Sequence, residues 1–122
     1  MIDFKNAAFV KLAPAKMDAF DVAALLVNGE EIVAVYQALR DGVVFTNKRV
    51  ITVNVQGMTG KKKDFTSLPY SKIQAYSVET AGVFDLDAEL ILWFSGLGTV
   101  KLDFVGHTDI SKICKMISER VL

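Results

Sequence analysis

The stretch Gly42–Gly57, GVVFTNKRVITVNVQG, constrains this chain more than any other. From Val50 onward, Ile51, Val53 and Val55 alternate with Thr52, Asn54 and Gln56. Successive side chains of a strand point to opposite faces of a sheet, so this alternation predicts a half-buried strand. The stretch reads as two strands joined by a tight turn at Thr46-Asn47-Lys48-Arg49. Asn suits such a turn because it tolerates left-handed backbone angles at low cost. An antiparallel β core follows.

The flanks extend that core. Residues 1–12 carry Ile2, Phe4, Phe9, Val10 and Leu12 at a spacing that fits neither helix nor strand. Residues 14–28 predict a helix, with Pro14 in its first turn, the stripe Met17, Phe20, Ala24 and Val27, and Asn28-Gly29 as its stop. Residues 31–40 predict a strand that is apolar on both faces: Val33, Val35 and Leu39 on one, Ile32, Ala34, Tyr36 and Ala38 on the other. An antiparallel strand normally keeps one face wet, so a cover is expected from the N-terminal helix or from a second subunit. Asp41-Gly42 marks a hairpin. Further strands are expected over 64–68, 71–80, 86–95 and 99–105. In the strand over 86–95, Leu86, Ala88, Leu90, Leu92 and Phe94 face inward, which leaves Ile91 and Trp93 outside and in need of cover. Thr108 or Asp109 caps a last helix with the stripe Ile110, Ile113, Ile117 and Val121. Seven short strands and a capping helix predict a sandwich or partly open barrel.

Composition bounds the function. The chain has 122 residues, room for one domain with a real core. Fourteen basic and fourteen acidic side chains cancel, which argues against a non-specific nucleic-acid binder. The single Cys excludes an intramolecular disulfide, and no secretory signal pattern opens the chain, so a reducing cytoplasm is the expected setting. The longest apolar runs are about five residues, far below the ~20 that span a bilayer. Yet 52% of residues are hydrophobic and the mean hydropathy is +0.34, rich for a small domain. Surplus apolar side chains then lie on the surface or between copies of the chain, a first pointer to self-association.

The ordered combination of the hairpin Val44–Ile51, the link Leu68-Pro69-Tyr70-Ser71-Lys72-Ile73 and the strand Glu89–Phe94 resembles the bacterial pleckstrin-homology-like family over roughly residues 30–122. The resemblance implies an α+β, mainly β fold: seven antiparallel strands in two near-orthogonal sheets (residues 30–106), a C-terminal capping helix (108–122) and a helical leader (1–29). It also implies a non-enzymatic protein without cofactors. Single-domain members of the family are expected to form cyclic homo-oligomers, five-fold rings, whose polar surface binds an unknown protein partner. Tyr36, Ile91 and Trp93 are the expected interface residues.

Candidate binding residues are few. Eukaryotic relatives hold phosphoinositides at the loop that corresponds to Arg40-Asp41-Gly42, which here is too short and carries one Arg beside an Asp. Lys61, Lys62 and Lys63 form the only basic cluster, able to touch anionic lipid or simply to keep a solvated loop from aggregating. Asp85, Asp87 and Glu89 alternate on one strand and do not converge as a hard cation requires. His107 has no second ligand nearby, and Cys114 lies beside an apolar stripe with no base in reach. No metal site and no catalytic constellation is expected.

Overall fold

The computed structural model describes residues 1–5, 9–84, 86–106 and 108–122. Its eight strands are β1 (Phe9–Pro14), β2 (Ile32–Ala38), β3 (Asp41–Thr46), β4 (Arg49–Gln56), β5 (Lys62–Pro69), β6 (Ile73–Glu79), β7 (Ala88–Phe94) and β8 (Gly98–Phe104), followed by helix α1 (Ile110–Val121). They form one continuous sheet in the order β5-β4-β3-β2-β1-β8-β7-β6. This corrects the expectation of seven strands in two separate sheets. The additional strand is β1, antiparallel to β2 and parallel to β8, and it stitches the halves β2–β5 and β6–β8 together.

The sequence conceals β1 because its register is broken. Phe9 pairs with Leu102 and Leu12 with Phe104, so three steps on β1 match two on β8. Lys11, with φ 59°, takes up the extra residue as a bulge. Both Phe9 and Leu12 thereby point into the barrel, at a spacing that looks like neither period.

The predicted helix over 14–28 is absent. Pro14 ends β1, and the chain continues as an extended strap with one 3-10 turn at Ala23–Leu25. Phe20, Val22 and Leu26 of this strap pack on Val35, Val44, Ile51 and Val53, while Met17, Ala24 and Val27 of the supposed stripe are exposed. The strap therefore roofs the outer face of β2–β4 and supplies the cover that a two-sided strand requires. Gly42 makes the close approach possible: a Cβ there would lie 2.0 Å from the Phe20 ring. The faces of β4 are accordingly reversed from a simple barrel reading. Ile51 and Val53 lie under the strap, and Val50 joins the barrel interior with Val43, Phe45, Leu90, Leu102 and Phe104.

Asp109 caps α1 by accepting a hydrogen bond from the Lys112 amide at 3.1 Å, and Ile110, Ile113 and Ile117 close the barrel end. The Thr46–Arg49 turn is the junction of these parts. Glu30, at the end of the strap, has a fully buried side chain. Arg49 donates to it twice, from Nε and Nη2, each at 2.8 Å, and the Thr46 hydroxyl donates to it at 2.7 Å. Arg49 Nη2 also donates to the Leu25 carbonyl at 2.6 Å. Asn47 binds the backbone of Gly29 and Glu31, buried Tyr70 donates to the Thr46 carbonyl, and Arg120 of α1 donates to the Asn47 carbonyl. One turn thus fastens strap, hairpin, the β5–β6 link and the helix.

Burial pushes the Glu30 carboxyl pKa upward, but the hydrogen bonds from Arg49, Thr46 and the Val27 amide, with the Arg49 charge, outweigh it and bring the pKa from 4.5 to about 2. A depressed folded-state pKa adds stability that is present above pH ~4.5 and is lost as pH falls toward ~2, here about 3 kcal/mol. Urea unfolding of wild type and Glu30→Gln at pH 7, 5 and 3 checks this. Glu30→Gln is expected to be less stable at pH 7 and to lose less stability on acidification; parallel pH curves would contradict the assignment.

Candidate self-association surface

The two ends of the strand order, β5 and β6, each pair on one side only. An unpaired edge presents a row of amides and carbonyls that a second chain can extend. The edges differ. β5 begins with Lys62 and Lys63 and ends at Pro69, residues that blunt an edge. β6, Ile73-Gln74-Ala75-Tyr76-Ser77-Val78-Glu79, has no Lys and no Pro. Its Gln74, Ala75 and Ser77 are exposed, while Tyr76 turns inward and its hydroxyl lies 2.7 Å from Ser118 Oγ on α1. β6 is the less protected of the two edges.

Ile91 and Trp93 sit beside it on the outer face of β7, paired with Ser77 and Ala75 of β6 and with Lys101 and Thr99 of β8. Leu90, Leu92 and Phe94 alternate with them and are buried. Trp93, the only tryptophan, is 42% exposed. Tyr36 is not part of this patch. Its ring meets Phe45 and Phe104 edge-on at 5.8 and 4.9 Å inside the barrel, where burial and then the Asp109 charge raise its pKa.

The remaining candidates are dispersed. Lys61, Lys62 and Lys63 are exposed at the β4–β5 turn and the start of β5. Arg40 reaches that turn, donating to the Gly57 carbonyl at 2.6 Å. Asp87 pairs with Lys11, and Glu89 with Lys101 at 3.8 Å, so these acids have cationic neighbours within the chain. Among the described residues no group of three potential ligands converges on a metal position. Asp85 and His107 lie outside the described residues. Cys114 is half-buried on α1. Sequence reasoning missed Glu30: nothing local marks its partner, which lies nineteen positions away.

The sequence profile of the bacterial PH domain family matches residues 3–121. The chain belongs to that family. The match includes β1 and the strap, the residues expected to form a helical leader. The domain is 46% identical over 100 residues to the uncharacterized protein YjqA of Bacillus subtilis strain 168, covering 80% of each chain. The crystal structure of a DUF1696 family protein with a pleckstrin-homology domain from Shewanella loihica PV-4 is similar at 39% identity and a TM-score of 0.80, covering 93% of this chain and 99% of that one. A pleckstrin-homology domain from Shewanella amazonensis SB2B is similar at 39% identity and a TM-score of 0.66, covering 96% and 93%. No helix among the described residues is long and apolar enough to cross a membrane.

Proposed function

We propose that the domain works as a non-enzymatic, cytoplasmic scaffold: copies assemble through the β6 edge into a closed ring that presents a composite surface to another protein. The observation that carries this reading is the β6 edge, paired on one side only, beside exposed Trp93 and partly exposed Ile91. Joining the β6 edge to a different surface on the next copy is a heterologous contact, and such contacts close into rings when the rotation per step divides the circle. Light scattering on a purified sample at tens of micromolar tests it. The expected mass is a multiple of 13.4 kDa, about five copies for a ring of this type. A monomer mass at that concentration contradicts it.

A second reading, peripheral membrane contact, is favoured by one observation. Leu39 and Met58 stand fully exposed on two turns tied by the Arg40–Gly57 hydrogen bond, with Lys61–Lys63 next in the chain. Leu39 also holds a left-handed φ of 52°, a conformation a leucine adopts at a cost. Apolar tips between cations match an anionic bilayer surface, where each Lys contributes about 1 kcal/mol. Co-sedimentation with phosphatidylglycerol vesicles decides it. Pelleting that Leu39→Asn with Met58→Ser abolishes is the expected result, and no pelleting of the wild type removes the reading.

A further inference from the structure

Asn28 and Gly29 are the middle of the turn that carries Glu30 to its buried seat. The Glu30 amide donates to the Val27 carbonyl at 3.0 Å, and the Val27 amide donates back to Glu30 Oε1 at 3.1 Å, so Val27 and Glu30 close the turn twice. Gly29 has φ 79°, the left-handed angle that a glycine supplies in a turn, and a Cβ built there would meet nothing within 4 Å. Asn28 and Gly29 are both exposed. Among the described residues no hydrogen bond engages the Asn28 side chain or the Gly29 amide. The Gly29 carbonyl, in contrast, accepts from Asn47 Nδ2 at 2.9 Å. The other asparagines of the described residues are held. Asn47 accepts from the Glu31 amide and donates to Gly29, and Asn54 donates to Asp41 and accepts from Gln56. Neither precedes a glycine.

We propose that Asn28-Gly29 is a deamidation site and that its conversion to isoaspartate releases Glu30 and loosens the strap. The reaction needs only water. The Gly29 amide nitrogen attacks Asn28 Cγ, and with no Cβ on Gly29 the approach is open. The new N–Cγ bond forms as the Cγ–Nδ2 bond breaks, and Nδ2 leaves with the Gly29 amide proton as ammonia. Water then opens the resulting succinimide. Opening at Cγ restores the ordinary chain with an aspartate. Opening at the main-chain carbonyl carbon leaves isoaspartate, whose backbone runs through Cβ and Cγ and is one atom longer. That atom enters between Val27 and Glu30, so the two hydrogen bonds that close the turn lose their register. Glu30 is also the acceptor for Arg49 and Thr46. Its displacement frees the end of the strap whose Phe20, Val22 and Leu26 cover Val35, Val44, Ile51 and Val53.

The test ages the wild-type protein in warm, mildly alkaline buffer. Peptide mapping by tandem mass spectrometry locates the converted residues, and methylation by a protein isoaspartate methyltransferase reports the isoaspartate. Conversion is expected at position 28, with Asn47 and Asn54 intact, and Asn28→Ser is expected to abolish it. Ion exchange then separates the modified chains by their added negative charge. In amide hydrogen exchange the isoaspartate fraction is expected to lose protection across the strap and the Thr46–Arg49 turn. Asn28→Asp, which carries the same charge in an ordinary backbone, is expected to exchange like the wild type. Absence of conversion at position 28 overturns the site. An isoaspartate fraction that exchanges like the wild type, or an Asn28→Asp variant that loses the same protection, overturns the release of Glu30 by the longer backbone.

Discussion

Everything that shapes this domain's outer surface depends on the buried contact between Glu30 and Arg49. A buried carboxylate is tolerable only when charge and hydrogen bonds replace its lost water. Glu30 receives two donors from Arg49, one from Thr46 and one from the Val27 amide. Those bonds hold the end of the strap to the β3–β4 turn, which in turn receives Tyr70 and Arg120. Removing one partner would leave an uncompensated buried charge, a cost on the order of 3–5 kcal/mol. It would also loosen the roof over Val35, Val44, Ile51 and Val53.

That roof decides which apolar surface is left for other molecules. The high hydropathy of the chain placed its surplus apolar side chains on the surface or between copies. The strap absorbs a large part of it, forming a second small core outside the barrel. Among the described residues, the large apolar side chains that stay exposed include Trp93 beside the β6 edge, Leu39 and Met58 on their turns, Val83, Phe84 and Leu86 between β6 and β7, and Val10, Met17, Leu25, Val27 and Val33. The case for self-association therefore stands on specific exposed groups and on unpaired strand edges, not on bulk composition.

The alternating strands were legible because period two survives in β4, β7 and β8, and the last helix because Ile110, Ile113 and Ile117 recur at helical spacing beside a capping Asp. Two parts were not. The bulge at Lys11 breaks the alternation of β1, so Phe9 and Leu12 carry no readable period. In the strap, Met17, Phe20, Ala24 and Val27 imitate a helical stripe, but the sheet rewards the extended spacing of Phe20 and Val22 instead, and tertiary packing overrides weak local preference. The outward orientation of Ile91 and Trp93 was legible from the alternation of β7, whereas the orientation of Tyr36 was not, because both faces of β2 are apolar and nothing in the sequence says which meets the barrel. The Glu30–Arg49 pair joins residues far apart along the chain and leaves no local pattern.

The proposed self-association holds that the roofed face of β2–β4 is covered within one chain and that the β6 edge is completed by a neighbour. Amide hydrogen exchange read by mass spectrometry, compared between a concentrated sample and one diluted a hundredfold, tests that division most directly. The account predicts that β6 loses protection on dilution, while the strap and β2–β4 exchange at the same rate in both. Protection that is the same at both concentrations across β6, or that changes on β2–β4 instead, would contradict it.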